Sequence, residues 1–423
     1  MTTRDRDQAG PEARAARLVE MLEAHEAYRG SCLNLVAAEN VLSPLARGTL
    51  DSELVHRYAD YVGRDLRARK YLGTGWIVEI EESVHDLLRA LFRVPFVETR
   101  ALSGHVAGAA VLMSLTKPGD IVLELDGPGG GHRIAEKLNA THFATLDVRP
   151  LPFDPERYGV DVERTVELAR RVRPRVIILG SSLFLFPHPV AELAAALADQ
   201  PETVIAYDAS HVLGLIAGGA FQDPLREGAA VVWSSTHKSF PGPPGGLILA
   251  ERAEIIEAAS QAVYPGLVTN HHPARMPALG IAAAEMLAFG QAYAGAIIAN
   301  ARRLAAEIDA RGVPVVGAAR GYTASHTALV VVDRFRPAPE IGARLEAAGI
   351  ITTVSKLPAA LGGSCIRLGL QELTRRGALP DDMPAVAGLI ADVVTGTRNP
   401  EAVLPEVRAL AARFAEVGYT FRD

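Results

Sequence analysis

Residues 204–246 read VIAYDASHVLGLIAGGAFQDPLREGAAVVWSSTHKSFPGPPGG. Two short apolar runs, Val204–Tyr207 and Val231–Trp233, are of the kind that forms strands buried on both faces. Each ends on polar, ionisable residues: Asp208-Ala-Ser-His211 after the first, Ser234-Ser-Thr-His-Lys238 after the second. A Gly/Pro loop, 241–246, then leads into a third run, Leu247–Leu249. Ligands of open α/β sheets bind at the carboxyl ends of strands, so chemistry is expected at these ends.

The same pattern extends outward. Apolar runs recur at Ile121–Leu125 and Val176–Leu179, and helix-like stretches such as Val162–Arg171 and Val190–Ala198 lie between runs. Alternating strand and helix predicts an α/β domain with a mostly parallel sheet. Glu12–His25 has helical spacing, and residues up to about Gly10 read as a loose tail. Ala-rich residues 278–311 read as one or two helices. Beyond them come a strand at Thr327–Val332, a helix at Glu340–Ala348, a strand at Ser364–Leu368 and two more helices, a smaller α+β unit. The expected division is an N-terminal arm (1–60), a large α/β domain (61–295) and a small C-terminal domain (296–423).

Composition bounds the function. The chain has 423 residues, with 49% hydrophobic and 22% charged, which excludes a disordered chain. Net charge is −6 (43 basic against 49 acidic residues), a poor match for nucleic-acid binding. Two cysteines, Cys32 and Cys365, provide no disulfide framework or cysteine zinc site, and no metal is expected. The charged N-terminus lacks a signal-peptide core, and no uncharged apolar run reaches bilayer length. A cytoplasmic protein without membrane contact is expected.

Lys238 at a rigid strand end suits an amine that forms a Schiff base. With Asp208 one strand earlier it suggests pyridoxal phosphate (PLP), which needs a lysine imine and a carboxylate on its ring nitrogen. Ser103-Gly104-His105 precedes the helix-like Val106–Leu115, and such a turn can cradle a phosphate. Gly127–Gly131 fits a dinucleotide fingerprint only loosely, without its acidic partner. Arg367 in an apolar strand is a candidate clamp for a substrate carboxylate.

Together these motifs resemble the serine hydroxymethyltransferase family of fold-type I PLP enzymes, which share the aspartate aminotransferase-like fold. Leu35-Val-Ala-Ala-Glu-Asn40 is similar to that family's "LIASEN", Arg57-Tyr-Ala-Asp60 to "KYAEG" and Arg69-Lys-Tyr-Leu-Gly73 to "KRYYGG". Ser103-Gly104 matches "HSG", Lys117-Pro-Gly-Asp120 contains "PGD", and Asp208–Leu215 resembles "DxAHxAGL". Thr236–Gly246 resembles "THKTLRGPRGG", Tyr264–Gly266 "FPG", and Ile366–Gly369 with Thr374–Gly377 "IRxG…TRRG".

The resemblance implies a role for each matching residue. Lys238 would hold PLP covalently and Asp208 its ring nitrogen, with His211 and Ser182 beside it. Ser103, Gly104, His105, His237 and Gly266 would bind the phosphate. Arg367 would clamp the α-carboxylate, with Tyr71 and His132 also facing substrate. Tyr58 would reach in from the second subunit of a homodimer, alone or in a dimer of dimers, and Asp60 takes the place of the catalytic glutamate.

Several positions depart from the family pattern. Asp60 is one methylene shorter than glutamate, Ala38 replaces a serine, Leu72 a tyrosine, Trp76 a glutamate and Pro244 an arginine. The histidine that stacks on the PLP ring falls on Gly129, with His132 its surviving neighbour. These departures lie where substrate and folate sit. They imply aldol or retro-aldol chemistry at Cα–Cβ of a β-hydroxy amino acid, without folate and with an aldehyde as partner. The alternatives are a folate-dependent serine hydroxymethyltransferase, a racemase or aminotransferase, and a non-catalytic PLP-fold binding protein.

Overall fold

The structure is a computed structural model and describes residues 10–421. The expected tail before Gly10 lies outside these residues. The strands, in chain order, are β1 (Leu33–Asn34), β2 (Phe96–Glu98), β3 (Ile121–Glu124), β4 (Asp147–Pro150), β5 (Phe153–Asp154), β6 (Gly159–Val160) and β7 (Val176–Leu179). They continue as β8 (Val204–Asp208), β9 (Val231–Ser235), β10 (Gly246–Ala250), β11 (Thr327–Val330), β12 (Ile350–Ile351), β13 (Thr353–Lys356) and β14 (Ser364–Gly369).

Seven strands form the main sheet in the order β2-β10-β9-β8-β7-β3-β4. The β4-β3-β7-β8-β9 pairings are parallel, and β10 runs antiparallel to both its neighbours. Side chains alternate between two cores, as a pleated strand requires. Leu123, Ile177, Leu179, Ile205, Tyr207, Val232, Leu247 and Leu249 enter one core. Val122, Val176, Ile178, Ala206, Val231, Trp233, Ile248 and Ala250 enter the other. Both faces being covered, the central strands are continuous apolar runs, and each buried aliphatic side chain contributes about 1.5–3 kcal/mol.

The Ala-rich stretch is one 36-residue helix, Arg275–Ala310. Its first part packs in the main core up to Ile298, and from Ala301 it belongs to a second core. It is the one described helix long and apolar enough to cross a membrane. It nonetheless buries Arg275 and Glu285, the latter paired with Arg375 at 2.6 Å. The second core holds the three-stranded sheet β11-β14-β13. It also takes in Leu33 and Leu35, because β1 pairs in parallel with β12. The N-terminal helix, Pro11–Gly30, buries none of its residues and leaves Leu18, Val19, Met21 and Leu22 exposed.

Candidate active site

β3, β7, β8 and β9 run parallel and end at one edge of the sheet, so their following loops converge. Asp208 is the last residue of β8 and is buried. Its Oδ1 accepts the Ser210 backbone N–H at 2.9 Å, a short Asx turn that fixes the carboxylate. After β9 the chain folds back on itself. Thr236 Oγ1 donates to the Pro243 carbonyl at 2.6 Å, and the Gly242 N–H donates to the Thr236 carbonyl at 2.9 Å. This closed loop carries His237 and Lys238. Asn40 Nδ2 donates to the Lys238 carbonyl at 2.7 Å and lies 2.9 Å from the Tyr293 hydroxyl, so the N-terminal arm braces the lysine.

Lys238 Nζ lies 3.4 Å from His211 Nε2. Burial pulls the amine below its ordinary pKa; Asp208 opposes this, and Arg367 adds to it. Burial likewise holds His211 well below its usual value, helped by the Lys238 and Arg367 charges, so it is neutral at pH 7. Its ring stacks on His326 at 5.7 Å, and burial lowers His326 to about 3. An imidazole acceptor beside an amine of lowered pKa can pass a proton in either direction.

Ser103 caps the helix Gly104–Leu115, its Oγ accepting the Val106 N–H at 3.1 Å. A Cβ on Gly104 would stand 2.7 Å from the Ser235 nitrogen and 2.8 Å from Ser235 Oγ, so only glycine lets the turn approach β9. The first N–H groups of this 12-residue helix have no helical partner and suit an anion. His105 is on the same turn, exposed, its ring edge-on to His132 at 5.6 Å.

Arg367 reaches the site from β14, the middle strand of the second sheet. It is 8% exposed and has no carboxylate partner among the described residues; its Nη1 donates to the Ser182 carbonyl at 2.7 Å. A buried guanidinium left without an acid is costly and marks a place for an incoming carboxylate. Ser182, Arg367 and His132 line a cavity of about 250 Å³. His132 also lines a second, narrow recess with Gly180 and Asp208.

Gly129 and His132 lie in different surroundings on the loop after β3. Gly129 is buried, and a Cβ there would point at Asp126, Phe153 and Leu125, away from Asp208. The loop after β3 turns back through Gly130 (φ +85°), and Gly131 follows so close to the Leu125 carbonyl that a Cβ would collide with it. His132 is thereby brought to the Asp208 recess, where burial lowers it to about 4.

Lys238, His211, Asp208, His132, His237, Ser182, Ser103, Gly104, His105 and Arg367 therefore surround the converging strand ends. Tyr58, Tyr71, Asp60 and Gly266 do not join them: among the described residues no hydrogen bond, ion pair or ring contact links these four to Lys238, His211, Asp208 or Arg367. Tyr58 is 50% exposed and touches Tyr71, ring to ring, at 5.4 Å. Gly266 is exposed. Asp60 is buried, with Oδ1 3.6 Å from His271 Nδ1, within ion-pair range but too long for a hydrogen bond. His271 in turn bonds Glu81 at 2.5 Å, and Glu81 pairs with Arg69. Burial would lower the His271 pKa, but the nearby Asp60 carboxylate and the bonded Glu81 carboxylate outweigh it and raise the pKa.

Sequence reasoning gave no role to Asn40, although it lies in a quoted motif, and it missed His326, which directly precedes a strand. The buried polar atoms His132 Nδ1, His211 Nδ1, His237 Nδ1 and Arg367 Nε lack partners among the described residues. Four such atoms around one site fit a polar ligand that would satisfy them.

A family model described as serine hydroxymethyltransferase matches residues 12–390. A serine hydroxymethyltransferase from Methanopyrus kandleri is 42% identical over 409 residues, covering 96% of this chain and 94% of that protein. One from Thermococcus gammatolerans is 39% identical over 415 residues, covering 96% of each. Among solved structures, an L-threonine transaldolase from Pseudomonas fluorescens in its internal aldimine state superposes with a TM-score of 0.90 at 31% identity. That match covers 97% of this chain and 95% of the other.

Proposed function

The chain belongs to the serine hydroxymethyltransferase family, and from that premise we propose that it breaks and forms the Cα–Cβ bond of a β-hydroxy amino acid without folate. It is a pyridoxal-phosphate-dependent enzyme of the hydroxymethyltransferase/transaldolase type, with the fold-type I architecture and small-molecule substrates. The observation that carries the reading is the burial of Lys238 beside His211 at the strand ends with Asp208 and Arg367 nearby, together with partnerless atoms on His132, His211, His237 and Arg367.

The residues present fit the cofactor. Lys238 would hold it covalently, and Asp208 would pair with its ring nitrogen. The Ser103-Gly104-His105 turn and His237 would hold its phosphate; Gly266, exposed in one chain, is a phosphate contact only if a second copy completes the site. Bound there, PLP supplies an electron sink that weakens a bond at Cα. Arg367 would fix the α-carboxylate, which orients the substrate so that the Cα–Cβ bond is the one weakened. His132 would cover the recess and His211 would support the Lys238 amine. A proton leaving the substrate hydroxyl then has the lowered Lys238 amine or the neutral His211 as acceptor.

Folate independence is supported by Asp60. Its carboxylate is buried beside His271 and is not free to carry a proton to a pterin. The folate-dependent reading has its own support in the 42% identity to the Methanopyrus kandleri protein. The racemase and aminotransferase readings rest on a missing ring over the cofactor, and His132, which lines a recess with Asp208, weighs against them. Tyr58, Leu72 at 97% exposure and Trp76 at 81% are large apolar groups open to solvent, as are those of Pro11–Gly30. They support a homodimer in which a second copy covers these surfaces.

The test is acetaldehyde release from L-threonine by PLP-loaded enzyme without folate. Release without folate is the expected result. Strict dependence of serine cleavage on tetrahydrofolate, with no threonine cleavage, overturns the folate-free reading. Failure to take up PLP at all overturns the cofactor assignment.

A further inference from the structure

The cavity beyond Arg367 has an unbalanced lining. Arg133, Lys137, Lys356 and Arg367 all border it, together with His132, and no Asp or Glu does. Arg133 is held at 3.1 Å by Glu136, an exposed pair worth little. Neither the Lys137 nor the Lys356 side-chain amine has a hydrogen bond or ion pair among the described residues. The Lys137 amine is pushed down by partial burial and by the Arg133 charge, with Glu124, Asp208 and Glu136 opposing. Arg367 spends only one of its donor groups, on the Ser182 carbonyl. Arg133, Lys137 and Lys356 are exposed, so solvent screens their repulsion in part, but with buried Arg367 they give this space of about 250 Å³ a positive field that favours an anion. The space equals roughly eight water volumes, enough for a short chain ending in an anionic group.

We propose that this cavity binds an anionic group, carboxylate or phosphate, carried by the second substrate, a short-chain aldehyde. Lys356 from β13 and Lys137 hold that group, with Arg133 at the rim. Arg367, at the inner end, keeps the amino acid's α-carboxylate. One anion-bearing aldehyde thus lies across from one amino acid, and the reacting carbonyl is left toward Lys238 and His211. This deepens the reading above and rests on it for the identity of the reacting carbon.

The test uses the PLP-loaded enzyme, whose Ser103 turn is then filled by the cofactor's own phosphate. Inorganic phosphate and succinate are titrated calorimetrically into wild type, Lys137→Ala, Lys356→Gln and the double variant. Unchanged melting and cofactor absorbance show that each variant is folded and loaded. Each lysine removed should weaken binding about tenfold. Preference for phosphate or for succinate identifies the anion. In parallel, the ratio of kcat/KM for succinic semialdehyde over butyraldehyde, and for glycolaldehyde phosphate over glycolaldehyde, should fall at least tenfold in Lys356→Gln. Equal anion binding by wild type and double variant overturns the proposal. Anion binding that depends on the lysines, with no aldol product from any aldehyde, leaves the cavity assignment standing and overturns the reaction.

Discussion

Gly180→Ala should disable Asp208 without touching it. Gly180 directly follows β7 and lies beside the end of β8. A Cβ there would stand 2.5 Å from Asp208 Cβ, 2.9 Å from its carbonyl oxygen and 3.2 Å from its Cα. Carbon atoms in contact sit about 3.5–4.0 Å apart, so Asp208 must move by about 1 Å. It cannot move freely, because the Ala209 N–H donates to the Trp233 carbonyl at 2.8 Å and Ser210 holds the carboxylate. A shift of about 1 Å takes a charge-assisted bond from about 2.8 Å past hydrogen-bonding reach. Losing that bond costs about 1.5–3 kcal/mol, so PLP should bind roughly 10- to 150-fold more weakly. The crowding itself should cost about 1–3 kcal/mol of stability. Absorbance titration of the cofactor-free protein with PLP reads the affinity, and urea unfolding reads the stability. Gly295→Ala is the control, because nothing lies within 4 Å of its Cβ. If Gly180→Ala binds PLP within about threefold of wild type with the same visible band, Asp208 does not hold the ring nitrogen.

The protein should lose stability on mild acidification. Burial holds His85 at about 4 and His188 and His326 at about 3, so unfolding takes up protons as pH falls below 6.5. At pH 5.5 each costs about 1.4 kcal/mol relative to pH 7.5, about 4 kcal/mol for the three. His271, with its raised pKa, acts in the opposite sense and offsets part of this. His132 and His211, also held low by burial, add to the loss. Equal urea stability at the two pH values contradicts the neutral burial of these rings, and His188→Gln should remove about 1.4 kcal/mol of the loss. Glu285 and Arg375 are both fully buried and 2.6 Å apart. Glu285→Gln should cost about 3–5 kcal/mol, because it strands the arginine, and Glu285→Met with Arg375→Met should cost less. Asn40→Ala should slow the reaction while Lys238 still binds cofactor, because the bonds to the Lys238 carbonyl and the Tyr293 hydroxyl are lost but the lysine amine is untouched; full activity would show that the brace is idle.

Much of this molecule is legible in one dimension. The central strands β3, β7, β8, β9 and β10 announce themselves as apolar runs because both sheet faces are covered. Asp208, Lys238 and Ser103 stand out because each immediately follows such a run or precedes a helix. The edge strands do not announce themselves. β4 reads Asp147-Val-Arg-Pro150 and β2 has three residues, so neither offers an apolar pattern.

The residue types of the site are thus determined by the sequence, since a buried strand end with a lysine or an aspartate is a local pattern. Which of them meet is decided by the tertiary path. His132 and not Gly129 faces Asp208 because two glycines let one loop double back against Leu125. Asn40 reaches the Lys238 carbonyl, and Arg367 reaches Ser182, across 198 and 185 residues of chain. Asp60, whose motif resembles a catalytic one, lies 3.6 Å from His271, which in turn bonds Glu81. Periodicity reports the face a residue turns inward. It carries no information about the partner waiting there, because that partner is set by how separate elements pack.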